Sequence, residues 1–547
     1  TPKLQNIASP ATIPDMEVAV DRICKAIINK EQIIFTVDHD MDGQGSAAVL
    51  WGAFVDHFNV PATRLSVVTS HRLTEGYGIT SAVVERILAT EATLVISADK
   101  GSSDNPRIRL LARAGRDVIV TDHHQIPQEG PPSSALACVN PARSDSEYDP
   151  FICGAAVAFM TMAMVRTELL KRNYLASIPS LTCLLDYVAV ATVADCVSMR
   201  PDKSYTNRAL VKKGMALINA KKRPCWEVFC NDIKDTTVTS QTIGFQLAPA
   251  VAAAGRLDWA EVGFRFLVAD NKEEAEHFWS ILKTENKLRK QIEKKLRNKA
   301  VDAAKNVNGQ SIVLYFEEGH SGVHGITASR LVEQFGKPAV MFAPKGAGSR
   351  QEASVNAIQP ERMLASGSFR GIPGFDTRAA LQYVDDHYPE ILLAFGGHTG
   401  AAGATIAVDN IEDFRLAYEE AVNAQLSGQT LQPELWVDGE VTGAQLTLDS
   451  VDMLAQLDPW GRDFQQPAFC SEFNIEQVRA VGDGTHLKLL LEKDGARIDG
   501  IWFNAKNSEE SLPVKTGTKK KMAFQMSDNV FKNQRSFQIQ ILTLVDS

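Results

Sequence analysis

Gln32-Ile33-Ile34-Phe35-Thr36-Val37 runs straight into Asp38-His39-Asp40-Met41-Asp42-Gly43, and the join between the two decides the fold. A short run rich in β-branched residues predicts a strand, and the acids mark its carboxyl end. In a strand, residues i and i+2 face the same way, so this spacing predicts that Asp38, Asp40 and Asp42 converge. Three carboxylates that close raise one another's pKa unless cations neutralise them. Hard oxygen ligands suit Mg²⁺ or Mn²⁺. A solvated Asp-rich turn is the plainer alternative, but placement at a strand end favours metal.

Outward from this join, Ser46–Phe58, Ser81–Ala89 and Asn105–Ala114 have helical periodicity, and Thr93–Ser97 and Asp117–Thr121 read as strands. This alternation predicts a parallel, doubly wound sheet, whose ligands gather at the carboxyl ends of the strands. The chain places further acids there. Asp99 follows the second strand, and Asp122-His123-His124 follows the third. Of two adjacent histidines, one can bind metal while the other handles a proton. Asp195 is the only charged residue in Val188–Val197, where an acid is unfavourable unless paired or metal-bound. Four acid-bearing elements in one unit predict a two-metal site, which suits in-line phosphoryl displacement. A metal-dependent phosphodiester hydrolase is therefore expected. No GxxxxGK[ST] loop is present, so nothing supports an NTPase. Gly396-Gly397-His398 and Gly400–Gly403 are expected to cradle a phosphate with backbone N–H groups.

At 547 residues the chain is too long for one core. The expected segments are 1–205 (α/β), 206–307 (helical, with a long connecting helix), 308–418 (a second α/β unit) and 419–547 (all-β). In the all-β segment, Phe473–Val481, His486–Leu491, Ile498–Phe503 and Phe537–Leu542 read as strands of a small barrel. Lys272–Lys305 lacks Pro and Gly, and its later part holds Lys283, Lys287, Arg289, Lys290, Lys294, Lys295, Arg297 and Lys299. It reads either as a solvated helix face or as a wall of a nucleic-acid channel. The net charge of −9 argues against a generic nucleic-acid coat, although a nuclease needs only a local basic groove. Eight cysteines form no CxxC pair, which predicts reduced thiols and a cytoplasmic location. Thr1–Pro14 does not read as a signal peptide, and no apolar run reaches the ~18 residues of a membrane helix.

The order of these motifs resembles the DHH phosphoesterase superfamily: Asp-x-Asp-x-Asp-Gly at 38–43, Asp-x-Gly at 99–101, Asp-His-His at 122–124 and Ala-Thr-Val-Ala-Asp at 191–195. His71-Arg72 with Gly76-Tyr77-Gly78, Ala253-Ala254-Gly255-Arg256-Leu257, His320-Ser321-Gly322 through Arg330, and Gly396-Gly397-His398 are similar to the RecJ family of single-strand-specific 5′→3′ DNA exonucleases. The resemblance runs from about Ile33 to the C-terminus. It implies a DHH domain, a long helix, a DHH-associated domain and an OB-fold. It implies that Asp40, Asp42, Asp99, His123 and Asp195 hold two Mn²⁺ or Mg²⁺ ions, with Asp99 bridging and Asp38 contributing to the first. Asp40 and Asp99 count among the catalytic residues with His124, which would sit beside the scissile phosphate. Arg72 and Tyr77 would contact the incoming strand, and Arg256 would join them in binding DNA. Ser368, Arg370 and His398 would line the phosphate side, where capture of the 5′ end sets polarity. The products would be nucleoside 5′-monophosphates, in DNA repair and recombination. A monomer is expected, with single-strand binding protein and a helicase as partners and no membrane.

Three departures from the family pattern stand out. Thr36 lies where some superfamily enzymes have a metal-binding His. Lys100 replaces a small or polar residue after Asp99, and would either lower metal occupancy or bind phosphate. Pro249-Ala250-Val251-Ala252 stands where the RecJ family has Pro-Arg-x-Asn. Thr36, Ala250 and Ala252 leave open a catalytically weak or dead DNA-binding scaffold, and a hydrolase of short oligonucleotides or cyclic dinucleotides is a further alternative, which the long helix and C-terminal barrel oppose. The aromatic and cationic residues Phe531, Lys532 and Arg535 are expected on a DNA-gripping face of the barrel.

Overall fold

The computed structural model describes residues 2–233, 237–257, 259–348, 363–426, 434–506, 511–531 and 534–545. The chain divides into two compact units. One holds Thr1–Val197 with Pro201–Pro433, and the other holds Ser198–Arg200 with Glu434–Ser547.

The first unit contains two sheets. Strands β1 (Ile33–Val37), β2 (Leu65–Thr69), β3 (Leu94–Ala98), β4 (Asp117–Thr121) and β5 (Ala137–Val139) form a sheet of order β2-β1-β3-β4-β5. Every neighbouring pair is parallel. β1 and β3 are buried along their whole length, as strands covered by helices on both faces must be. Ile34, Val83, Ile87, Val95, Ile108 and Leu111 pack one side of this sheet. The strand order reverses between β1 and β3, and this switch point opens the crevice in which doubly wound sheets bind ligands.

The helix after β1 starts earlier than the sequence pattern suggests. It spans Met41–Gly52 and continues into a wider turn at Ala53–His57. The two glycines in Met41-Asp42-Gly43-Gln44-Gly45 mask its first turn, because Gly is a poor helix former. The acids therefore converge not along a strand but around a strand-to-helix turn.

Residues 205–267 are mainly helical, and the connecting helix is Lys272–Ala304, 33 residues or about 50 Å long. The Asn271 side chain caps it by accepting from Glu274 N at 2.9 Å, and Glu273 and Glu274 complement its positive end. Its first half packs on the helices Pro224–Asp232, Ala248–Leu257 and Glu261–Leu267, and its last turns on the helix Ser321–Phe335.

The second sheet holds β6 (Ile312–Tyr315), β7 (Ala339–Pro344), β8 (Leu364–Arg370), β9 (Leu392–His398) and β10 (Ala401–Ala407), in the order β6-β7-β8-β10-β9. β6 and β7 are parallel, and the remaining pairs are antiparallel. The glycine segments expected to form a phosphate cradle pair with each other in the β9–β10 hairpin, Gly397 opposite Ala402 and Gly396 opposite Gly403.

The second unit contains a closed five-stranded barrel of β11 (Ala468–Val481), β12 (His486–Lys493), β13 (Ala496–Trp502), β14 (Lys519–Phe531) and β15 (Gln534–Leu544). Phe473, Leu489, Ile498, Phe524 and Ile539 fill it. The sequence pattern missed β14, because it opens on Lys519-Lys520-Lys521. Of the expected DNA-gripping residues, Lys532 and the Phe531 side chain lie outside the described residues. Arg535 is tied to Asp452 and Asp528, each at 2.6 Å. No described helix is long and apolar enough to cross a membrane.

Candidate metal centre and strand-binding cleft

Adjacent parallel strands in register bring the first two acids together. Val37 pairs with Ala98, so Asp38 and Asp99 leave the sheet side by side at the switch point. Asp99 takes a left-handed backbone, φ 61°, while its N–H donates to Thr121 O at 2.9 Å. Such a conformation is unfavourable for a non-glycine residue and is held by the surrounding sheet.

Asp40 is the N-cap of the helix Met41–Gly52. Its Oδ1 accepts from Asp42 N at 2.9 Å and Gly43 N at 3.1 Å, which leaves the other oxygen to turn into the crevice. Asp42 is anchored from elsewhere in the chain. The helix Gly154–Lys171 has no side-chain cap of its own, and Asp42 accepts from Gly154 N at 2.6 Å and Ala155 N at 2.8 Å. A helix N-terminus stabilises such an anion. Asp195 ends the helix Leu185–Ala194. That is the negative end of the helix dipole, where a carboxylate needs a cation.

His123 reaches into the same space. Its Nε2 lies 3.2 Å from Asp99 Oδ1, 3.6 Å from Asp195 Oδ2 and 3.7 Å from Asp42 Oδ2. Among the described residues, three groups bring their donor atoms within 4.8 Å of one another: Asp38/Asp40/Asp99, Asp42/His123/Asp195 and Asp99/His123/His124. Asp99 and His123 each belong to two of them, and Asp99 is the carboxylate that two groups share. Burial, then Asp42, Asp40 and Asp38, pushes the Asp99 carboxyl well above its ordinary value. Burial, Asp38 and Asp42 raise Asp40. Burial pushes His123 down, toward the neutral form that binds metal. Asp38 Oδ1, Asp99 Oδ1 and His123 Nε2 are buried and make no hydrogen bond. Mutually repelling buried carboxylates with unsatisfied donor atoms fit divalent cations.

His124 is held differently. Its Nδ1 lies 2.8 Å from Asp122 Oδ1, and Asp122 also accepts from Ser102 N at 3.0 Å and His123 N at 2.8 Å. Burial would lower the His124 pKa, but Asp122 overcomes it and the imidazole rises to about 10. Asp122 thus sets the orientation of His124, a role that spacing alone does not reveal.

The second sheet supplies the facing wall. The His398 ring stacks toward that of His124, with centroids 6.3 Å apart and planes 20° apart. Ser368 and Arg370 alternate onto the face of β8 opposite the buried Gly367 and Phe369. Arg370 Nη1 donates to Phe369 O at 2.7 Å, and its guanidinium crosses Gly325, where a Cβ would lie 2.6 Å from Nη2. Arg256 Nη1 donates to Gly322 O at 3.2 Å. Burial first, then repulsion from Arg72, brings Arg256 down to about 10. Arg72 sits over the Tyr77 ring at 5.1 Å, and that ring, 64% exposed, leans on His39 at 4.7 Å. Burial also lowers Arg370, with Tyr77 opposing and Arg72 adding to the effect. Arg72, Tyr77, Arg256 and Arg370, from distant parts of the sequence, therefore feel one another's fields.

The departures resolve in part. Thr36 is fully buried in β1, and its hydroxyl has no partner. Lys100 is 5% exposed and its Nζ makes no hydrogen bond, so it is an internal cation and not a surface for phosphate. Burial takes its pKa down to about 8 despite Asp38, and His39 and Lys100 together hold Asp38 low against burial. Ala250 is buried and Ala252 half-buried; neither replaces the missing polar contacts.

Three family models match: the DHH family N-terminal domain over residues 32–192, the DHHA1 domain over 308–424 and the RecJ OB domain over 437–543. The single-stranded-DNA-specific exonuclease RecJ of Escherichia coli K12 is 33% identical over 543 residues, covering 96% of this chain and 89% of that protein. The RecJ of Dickeya dadantii is 32% identical with the same coverage. The crystal structure of Thermus thermophilus RecJ in complex with Mn²⁺ has the same fold, with a TM-score of 0.78 at 24% identity over 98% of this chain and 72% of that one. A structure of exonuclease RecJ bound to manganese matches with a TM-score of 0.60 at 27% identity, over 75% of this chain and 94% of that one. With its carboxylate site at the switch point, its three matching domains and a third of its residues shared along nearly the whole of its relatives, the chain belongs to the RecJ family.

Proposed function

We propose that this chain is a metal-dependent exonuclease of single-stranded DNA that works 5′→3′ and releases nucleoside 5′-monophosphates in DNA repair and recombination. The observation that carries the reading is the set of overlapping donor groups at the β1/β3 switch point, in which Asp99 joins Asp38 and Asp40 in one group and His123 in another, and His123 in turn joins Asp42 and Asp195. Asp38, Asp40 and Asp99 would hold one Mn²⁺ or Mg²⁺, and Asp42, His123 and Asp195 the other, with Asp99 between them. Such ions, when bound, make water nucleophilic at neutral pH and stabilise the charge of an in-line phosphoryl displacement.

The chain's own residues do the rest. Asp122 holds His124 by Nδ1, so the opposite ring nitrogen faces the cleft to protonate the departing oxygen or to bind its charge. Arg256 and Arg370 pair with phosphate oxygens. Arg72 orients Tyr77, whose exposed face stacks on a base. Ser368, Arg370 and His398 receive the 5′ end, and that capture sets the polarity. On family grounds we take residues 1–205, 206–307, 308–418 and 419–547 as the domains. On the same grounds we take single-strand binding protein and a helicase as partners, the chain as a monomer and the cytoplasm as its location.

The test is Mn²⁺ with single-stranded DNA labelled at its 3′ end, for wild type and Asp99→Ala. Progressive shortening by wild type alone, with a duplex control intact, is the expected result. Binding without cleavage in Mn²⁺ or Mg²⁺ overturns the reading in favour of a scaffold. Cleavage confined to very short strands overturns it in favour of an oligonucleotide hydrolase.

A further inference from the structure

Between Lys283 and Lys299 the connecting helix Lys272–Ala304 carries eight cations against two acids, Glu285 and Glu293, in a chain of net charge −9. At 3.6 residues per turn, Lys283, Lys287, Lys290 and Lys294 fall within an arc of about 60°. Glu293 and Leu296 turn to the buried side instead. All four lysines are exposed, and with Asn286 and Gln291 they line a groove of about 450 Å³.

A merely solvated helix face intersperses both signs, so that Glu–Lys neighbours three or four residues apart stabilise the helix. This stripe contains no acid, and its neighbours are like charges at i+3 and i+4, which weaken the helix. Lys283 pairs with Asp232 at 2.6 Å, but Lys287 and Lys290 pair with no carboxylate among the described residues. The stripe is about 16 Å long, and it follows Trp279, which packs on Phe229 and Phe266, and precedes Ala300 and Ala304, which pack in the core of the second α/β region. A row of exposed lysines along a groove, with no acid among them, matches the repeating charge of a nucleic-acid backbone.

We propose that Lys283, Lys287, Lys290 and Lys294 form a second contact tract for single-stranded DNA, which takes backbone phosphates of the strand outside the metal-centre cleft. The inference rests on the exonuclease reading. The tract acts through its lysines on phosphates and is independent of sequence. It acts on strands long enough to reach beyond the cleft.

The test is the triple variant Lys287→Ala/Lys290→Ala/Lys294→Ala in the full chain with Mn²⁺, leaving Lys283 on Asp232. Binding is followed by fluorescence anisotropy across a salt series, on labelled strands protected from cutting by phosphorothioate linkages at the 5′ end. For a strand of about 30 nucleotides, the slope of log K against log salt should fall by about 2, at roughly 0.7 for each phosphate deprived of its lysine. Affinity at low salt should fall at least about tenfold, while cleavage of strands of about four nucleotides stays unchanged. The matching Lys→Arg triple keeps both charge and slope, which separates removal of the charge from damage to the helix. An unchanged slope on the long strand, or a loss confined to duplex DNA, overturns the tract and leaves the exonuclease reading intact. A wild-type chain that binds no single-stranded DNA overturns both.

Discussion

Gly154 has no room for a side chain: a Cβ there would lie 2.6 Å from Asp99 Cβ and 2.7 Å from its Oδ1. The first N–H groups of the helix Gly154–Lys171 must reach Asp42 while the helix start passes directly against Asp99. Gly154→Ala should therefore displace the shared carboxylate. We expect Mn²⁺ affinity to fall at least about tenfold by calorimetric titration, and stability to fall by about 1–3 kcal/mol, the usual range for overpacking. A variant that binds Mn²⁺ like wild type would remove Asp99 from the metal site. Asp122 calls for a different signature. Asp122→Asn keeps the shape but loses the charge that orients His124. Its kcat should fall by roughly 10²–10⁴, the usual contribution of a positioned acid or base, with KM and Mn²⁺ binding little changed. Equal losses in Mn²⁺ binding and kcat would mean that Asp122 supports the metal ligands instead. Neither role was legible in the sequence. Gly154 belongs to no spaced motif, and Asp122 reads there only as the first letter of a cluster.

At the scale of elements, the helix Ser321–Phe335 does two jobs. Its Gly325 lets the Arg370 guanidinium pass, so Gly325→Ala should raise KM for DNA by about tenfold or more, through a moved phosphate contact, while leaving Mn²⁺ affinity unchanged. One residue earlier, His324 is fully buried, with Nδ1 3.2 Å from Met341 O and Nε2 without a partner. Burial is the first cause that takes its pKa down to about 4, below the ~6.5 of an unfolded chain. The unfolded state therefore binds the proton more tightly between those values. Stability is full above about pH 6.5 and declines as the pH falls toward 4, by at most roughly 3 kcal/mol from this residue. Urea midpoints at about pH 5 and 7.5 should differ less in His324→Gln than in wild type; equal differences would show that His324 is not the group responsible. Elements with apolar, β-branched strands, such as β1, β3 and β4, were legible because their pattern is strong. The helix start at Met41 and strand β14 were not, because Gly, Asp and Lys at their starts contradict the local pattern and are tolerated only for tertiary reasons.

For the molecule as a whole, the metal centre and the fold are coupled. Five carboxylates and an imidazole from β1, β3, β4 and two helix ends face one another, so chelation should destabilise the first unit. Saturating Mn²⁺ at about 100 times its Kd should stabilise it by roughly 2.7 kcal/mol. A melting temperature unmoved by EDTA or Mn²⁺ in wild type would show that no cation sits in this cluster. The sequence by itself determined which donors exist and that Asp38, Asp99 and Asp122-His123-His124 follow strands, because hydrophobic periodicity and residue chemistry are local properties. From those it was possible to read the α/β class, the barrel, the ligand types and the family. Only the tertiary structure decided which donors meet. The parallel register of β1 on β3 sets Asp38 beside Asp99, and the start of the helix at Gly154 binds Asp42. The second sheet brings His398 to His124, and burial removes Lys100 from the surface. Distances between residues far apart in the chain depend on packing, which no local pattern encodes.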